Sequence, residues 1–379
     1  MTLLPAAVEP FAPSVYRRRL AGAAAEADRR GVAALLITPS PDYAYLLGYR
    51  PPTLERLTCL VLPATGVPTV VLPRLEEPLA RHELGELAGE VELVTWEETD
   101  DPFRLVRHLL SGATGRVGVQ DQMYARFVLR LRAALDPVEL VEAGPSISAL
   151  RRIKDAGEID RLRAAAVAAD AAMDQISAEP LAGRTEAEVS RRINELLLAA
   201  GHESADFAIV ASGPNAASPH HEAGQRVIGA GDALVLDIGG TLGGYCSDTT
   251  RTAIVGESPA EFAELYEVLR LAQAAACDAV APGVPAEAVD AAARDVIAEG
   301  GYGDRFIHRT GHGIGMETHE EPYLVAGNAE PLQPGHAFSV EPGIYLDGKW
   351  GARIEDIVVC TESGGESLNT SSRELRIVE

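Results

Sequence analysis

Apolar runs at 32–38, 59–63, 69–73, 91–96, 117–120 and 138–142 recur through the first 145 residues, with stretches of helical spacing between them. Short apolar runs bounded by turn residues read as strands, and their alternation with helices predicts an α/β domain. No GxGxxG or GxxxxGK(S/T) loop follows any of them, so the phosphate cradle of a dinucleotide or nucleoside triphosphate site is missing. The pattern breaks at Pro145 to Ser148. Beyond it, Asp155 is placed to cap a long helix with Ile159, Leu162, Ala166 and Ala169 on one face. Thr185 and Glu188 then form a capping box ahead of Val189, Ile193 and Leu197, in a helix that ends at Gly201. Apolar strands are expected at 233–238, 245–255, 337–345 and 352–361, and helices at about 258–281 and 285–299. The order is α+β, and the boundary falls near residue 148, giving domains 1–148 and 149–379.

The strands of the second domain carry four acids: Asp237 in LVLDIGG, Asp248 in SDTTRT, Glu341 in VEPGIY and Glu355 in RIED. An ionised carboxylate inside a sheet is costly unless a cation or a set of donors compensates it. Pro342 holds Glu341 in extended geometry, because the residue before proline avoids the α region. His312 joins them from GHGIG, read as a loop whose glycines leave the imidazole unobstructed. Four carboxylates and one imidazole suit a pair of divalent cations such as manganese, cobalt or zinc better than a structural zinc site, which prefers thiolates. A water shared by two such ions has its pKa lowered toward ~7. Each acid alone is more often an edge residue or an ion-pair partner than a ligand; the set of five carries the inference. Two strand pairs with two acids each hint at an internal duplication.

Composition narrows the partners. With 33 Lys and Arg against 56 Asp and Glu, the formal charge of -23 repels phosphate backbones and anionic lipid, so neither nucleic acid nor membrane is expected. Cys59, Cys246, Cys277 and Cys360 stand far apart without a CxxC pair, which points away from a disulfide framework or zinc knuckle and toward a reducing compartment. No apolar run approaches the ~18–20 residues that span a bilayer, and Met1 to Tyr16 does not follow the order of a secretory signal. A cytoplasmic location is expected.

The ordered set Asp237, Asp248, His312, Glu341 and Glu355, with LDIGG, SDTTRT, GHGIGMETHEEP, VEPGIY and RIED around it, resembles the metallopeptidase family of Xaa-Pro dipeptidase, aminopeptidase P and methionine aminopeptidase. The resemblance covers about residues 150–365, and RRGVAALLITPSPDYAYLLGY is similar to the creatinase-type N-terminal domain of the proline-specific branch. It implies an α/β N-terminal domain followed by an α+β pita-bread catalytic domain. It also implies that Asp237 chelates one metal, Asp248 and Glu355 bridge both, and His312 and Glu341 bind the other. Glu341 would accept a proton from the shared water, and His220 and His319 would contact substrate and steady the tetrahedral intermediate. Mn2+ is the expected ion, with Co2+ or Zn2+ as alternatives.

The implied activity is hydrolysis of the Xaa-Pro bond in dipeptides or at the N-terminus of short peptides, by a homodimer. The alternatives are an Xaa-Pro aminopeptidase on longer peptides and a non-catalytic binding protein of the same fold. Strand parity places Arg353 on the face of Glu355, where it would touch Glu355 or substrate. One departure bears on substrate length. Some proline dipeptidases place an Arg after the HExP segment to hold the proline carboxylate, and here Tyr323 follows Pro322, able to donate one hydrogen bond to substrate.

Overall fold

The computed structural model describes residues 9–112 and 114–379, in two compact units, Pro10–Arg151 and Arg152–Glu379, the latter also taking in Glu9. In the first unit the six apolar runs form strands β1 (Val32–Ile37), β2 (Cys59–Pro63), β3 (Thr69–Pro73), β4 (Glu92–Trp96), β5 (Arg116–Val119) and β6 (Glu139–Glu142). They make one mixed sheet in the order β4-β3-β2-β1-β5-β6, antiparallel only where β2 meets its two neighbours. Leu36, Val61, Val71 and Val117 of the sheet bury against Phe103, Phe127 and Leu131 of two helices. Pro145 to Ser148 do not interrupt the structure: they lie in the helix Gly144–Arg151, whose first turn accepts proline because the N–H there has no intrahelical partner.

The second unit opens with the helices Ala156–Ser177 and Glu186–Ala199, and both capping boxes, Asp155 with Glu158 and Thr185 with Glu188, are formed reciprocally. Strands β7 (Ser204–Ser212), β8 (Ala233–Leu242), β9 (Tyr245–Cys246) and β10 (Thr249–Val255) follow, then the helices Ala260–Ala279 and Ala286–Glu299. The remaining strands are β11 (Gly311–Gly313), β12 (Glu320–Leu324), β13 (Ala337–Val340), β14 (Gly343–Leu346), β15 (Trp350–Arg353), β16 (Asp356–Thr361), β17 (Gly364–Ser367) and β18 (Arg376–Val378). One sheet runs β18-β10-β8-β7 with β9 on β8, a second runs β12-β11-β13-β16-β17, and β14 and β15 form a hairpin. The first helix pair buries Met173, Ile193 and Leu197 against Leu234, Leu236 and Ile238; the second buries Phe262, Leu269 and Ile297 against Phe338, Val340 and Val358.

Three of the expected strands are broken where their acids sit. Asp248 falls between β9 and β10, Glu341 between β13 and β14, and Glu355 between β15 and β16. At Glu341 the cause is Pro342, which has no N–H to give to a ladder. At Glu355 the backbone N–H leaves its own sheet and bonds the carbonyl of Thr250 at 3.1 Å.

The two halves of this unit repeat one local design. Gly183 and Gly283 take φ of 82° and 84°, and each is followed by a 14-residue helix, Glu186–Ala199 or Ala286–Glu299. Ahead of the first helix, the N–H groups of Gly183, Glu186 and Ala187 bond the carbonyls of Ile228, Arg226 and Gly224. Ahead of the second, those of Gly283, Ala286 and Glu287 bond Leu332, Glu330 and Asn328 in the same pattern. Between the halves lies a buried ion pair, Arg251 to Asp356 at 2.7 Å, with side chains 1% and 0% exposed. Gln273 and Arg373 also donate to Asp356, and Arg251 donates to the carbonyls of Thr250 and Glu355. Removing one partner of such a pair leaves an uncompensated buried charge. Asp356→Ala is expected to lose about 3–5 kcal/mol of stability. Urea unfolding followed by Trp350 fluorescence in a Trp96→Phe background measures it, and a loss under about 1 kcal/mol would mean that the carbonyls alone satisfy Arg251.

Candidate functional site

Asp237 lies mid-way along β8, flanked by β7 and β10, with buried residues on both sides of it along the strand. One carboxylate oxygen takes a hydrogen bond of 2.6 Å from Arg353, and the other, Oδ1, is buried with no hydrogen-bond partner. His312 occupies the middle of β11, so GHGIG begins as a strand between β12 and β13 rather than as a loop. The glycines are required by space. A Cβ on Gly311 would meet the Ser339 carbonyl, and one on Gly313 the carbonyls of Glu320 and Glu321, all rigid backbone.

The fold brings the four carboxylates and His312 together. His312 Nε2 lies 3.2 Å from Glu341 Oε1 and 3.6 Å from Asp248 Oδ2. Asp248, His312 and Glu355 each place a ligand atom within 4.8 Å of the others. Thr250 Oγ1 donates to Glu355 at 2.6 Å, and Ser339 Oγ bridges the cluster by accepting from His312 N–H at 3.0 Å and donating to Glu341 at 3.2 Å. Burial pushes the Asp248 and Glu355 carboxyls well above their usual range, and the charges of the other carboxylates push the same way. Glu341 is also raised by burial, but its hydrogen bond to His312 and the positive charges around it outweigh that and hold it down at about 2.

An orphaned buried oxygen on Asp237, carboxylates that resist ionisation, and an imidazole nitrogen directed at two of them fit a divalent-cation site with oxygen-rich coordination. Arg353 supplies a fixed positive charge to the cluster. Its Nε donates to Thr250, one terminal nitrogen to Tyr345 and to Pro219 O, and the other to Asp237. At 3% exposure it is engaged on every nitrogen and braces Asp237.

The outer histidines differ in setting. The His319 ring stands edge-on to His312 with centroids 4.1 Å apart. Its pKa is drawn down to about 4, first by loss of solvation, then by the charges of His312 and Arg309, with a smaller contribution from His220. His220 is exposed, on a segment held from behind: the buried Glu186 carboxylate accepts from Ser212, Asn215, Gly224 and, at 2.9 Å, His221. Tyr323, on β12, is paired directly with His312 and lies under the Arg309 guanidinium, 4.5 Å from the ring centroid. Sequence reasoning passed over Glu186, Asp290 and Tyr345. Asp290 bonds both N–H and Oγ1 of Thr310, and Tyr345 hydroxyl links His308 to Arg353. Their only signal is polarity at helix or strand positions that are otherwise buried.

Residues 160–362 match Metallopeptidase family M24 and residues 19–153 the Creatinase/Prolidase N-terminal domain. The chain belongs to this metallopeptidase family, with the pita-bread fold preceded by a creatinase-type domain. It is 49% identical over 369 residues to a protein named probable dipeptidase PepE of Mycobacterium tuberculosis, covering 97% of this chain and 98% of the relative. It is 34% identical over 308 residues to a Xaa-Pro dipeptidase of Pyrococcus furiosus, covering 81% and 86%. Among solved structures, dipeptidase PepE from Mycobacterium ulcerans superimposes with a TM-score of 0.92 at 49% identity, covering 98% of this chain and 100% of that one. The prolidase from Thermococcus sibiricus gives 0.89 at 39% identity, covering 96% and 99%.

Protons and metal compete for Asp248 and Glu355. Their raised pKa values favour the metal-free fold below about pH 4, and that contribution is lost as pH rises through the raised values. Glu341 works in the opposite sense, but only below its ordinary value. The lowered pKa values of His202 and His336, on which none of these carboxylates acts, favour the fold increasingly as pH rises toward 6.5 and drop out of a difference, whereas His308 and His319 feel Glu341 and a bound cation would disfavour their protonation further, in the same direction as the carboxylates. The gap in thermal midpoint between Mn2+-loaded and EDTA-treated protein is therefore expected to widen from pH 5 to pH 8. Calorimetric scans at fixed Mn2+ check this; a gap independent of pH would exclude these carboxylates as ligands.

Proposed function

We propose that this metallopeptidase hydrolyses the Xaa-Pro bond of dipeptides, using two divalent cations held by Asp237, Asp248, His312, Glu341 and Glu355. The observation that carries the proposal is the convergence of these five side chains in one buried cluster in which four carboxylates face Arg353 and the His312 imidazole. The names of the relatives, dipeptidase and Xaa-Pro dipeptidase, support the same substrate class. In this assignment Asp237 would help to hold one cation, His312 and Glu341 the other, and Asp248 and Glu355 would contribute to both. Mn2+ is the preferred ion, with Co2+ or Zn2+ able to occupy the same oxygen-rich set. When bound, the cations supply Lewis-acid polarisation of the scissile carbonyl and a lower pKa for the attacking water.

The chain's own groups do the rest. Glu341, ionised and hydrogen-bonded to Ser339, takes the proton of the attacking water. His319 is neutral above pH 4, so it offers an N–H to the developing oxyanion without adding a positive charge. His220, on the segment anchored by Glu186 and by Arg353 through Pro219, approaches the same substrate. A tertiary Xaa-Pro amide has no N–H, so a site that demands none gains selectivity over peptidases that use that bond.

A homodimer and a cytoplasmic location complete the reading. The four cysteines are free, and no helix among the described residues is long and apolar enough to cross a membrane. With added Mn2+ or Co2+, purified protein is expected to release proline from Ala-Pro. Activity on Met-Ala-Ser with Ala-Pro and Ala-Pro-Ala both intact would reject the assignment. His319→Ala is expected to lower kcat on Ala-Pro about 10²–10³-fold while metal content, measured by elemental analysis, stays at wild-type level.

A further inference from the structure

Resting on the dipeptidase reading above, we infer that Arg309 binds the free C-terminal carboxylate of the dipeptide, with Tyr323 as the platform that holds its guanidinium in place. Tyr323 occupies the position at which some proline dipeptidases carry an arginine, so the anion end of the substrate lacks its expected partner. The structure places a different cation there. Arg309 lies three residues before His312, and its guanidinium stacks 4.5 Å from the centre of the Tyr323 ring.

Three observations direct that guanidinium toward substrate. Tyr323 is paired with His312 across β11 and β12, and directly paired residues of antiparallel strands project from the same face of a sheet, so ring and imidazole share one side. The charge of Arg309 acts on the His319 imidazole, whose ring stands against His312. Among the described residues no carboxylate lies within ion-pair distance of Arg309, although this chain carries 56 acids against 33 Lys and Arg. A half-buried guanidinium that is stacked, always charged and unpaired presents its N–H fork to an incoming carboxylate.

The backbone beneath it is fixed on both sides. His308 Nε2 bonds the Tyr345 hydroxyl at 2.9 Å and its Nδ1 the Arg309 carbonyl at 2.8 Å; Thr310 is held through N–H and Oγ1 by Asp290 at 2.9 and 2.8 Å. In a dipeptide the carboxylate is attached to the residue whose nitrogen is cleaved, within about 4 Å of the scissile bond. In a tripeptide it lies a residue further on. A cation fixed on the Tyr323 ring, opposite His312 in the strand pairing, therefore selects the shorter substrate.

The test compares Mn2+-loaded wild-type, Arg309→Leu and Arg309→Lys on Ala-Pro, Ala-Pro-amide and Ala-Pro-Ala. Arg309→Leu is expected to lower kcat/KM for Ala-Pro about 10–100-fold, mostly through KM, and to change Ala-Pro-amide by under about threefold. Arg309→Lys should restore part of the loss, because it keeps the charge without the fork. The ratio of acid to amide within one variant does not depend on the fraction of protein folded. An unchanged ratio in Arg309→Leu, with wild-type cutting Ala-Pro, overturns the role of Arg309 alone. If wild-type leaves all three peptides intact, the dipeptidase reading fails and takes this inference with it.

Discussion

Four carboxylates in one buried cluster repel one another, and the catalytic unit is arranged around holding them there. Burial disfavours each charge and the other carboxylates add to the cost, which is why Asp248 and Glu355 are pushed well above the ordinary carboxylate range. The fixed counterweights are few. Arg353 bonds Asp237 directly, His312 faces Glu341 and Asp248, and single hydroxyls from Thr250 and Ser339 steady the rest. Such a cluster is held because the surrounding sheets and helices fix its backbone, at an electrostatic cost that bound divalent metal would offset.

The duplicated architecture explains how distant acids meet. Each half contributes a sheet, a helix pair and the same hydrogen-bonded turn before its 14-residue helix, and each contributes two of the four acids. The halves are sewn together at the site: Glu355 N–H bonds the Thr250 carbonyl, Thr252 exchanges bonds with the Arg353 backbone, and Arg251 reaches Asp356. Polar threonines and charged residues in the middle of buried strands, unfavourable in either half alone, become each other's partners. The residues TTRT on β10 thus serve the seam and the site together.

Much of this was legible in the chain. The six strands of the first unit, the two capping boxes and the four long helices of the second follow from apolar spacing and cap chemistry, signals that act over a few residues. What escaped depends on contacts far away in sequence. Strand β7 begins Ser-Ala-Asp-Phe, half exposed and without clear alternation, and is defined by its pairing with β8. The breaks at Asp248 and Glu355 have no proline to announce them; at Glu355 the backbone N–H turns to bond the other half. Parity along an unbroken strand put Arg353 on the face of Glu355, where its charge does act, but gave no sign of the bond that its guanidinium makes to Asp237.

Arg309 shows the same limit from the other direction. In sequence it is one basic residue beside a glycine-rich motif, indistinguishable from a solvated surface arginine. Its meaning comes from Tyr323, fourteen positions later, and from the strand pairing that sets Tyr323 opposite His312. An arginine at the Tyr323 position itself would have to support its own long side chain, whereas a guanidinium resting on a ring fixed by a sheet loses less freedom on meeting a carboxylate. Moving the cation to a neighbouring segment and leaving an aromatic in its place can therefore preserve the chemistry while removing the motif by which it is usually found.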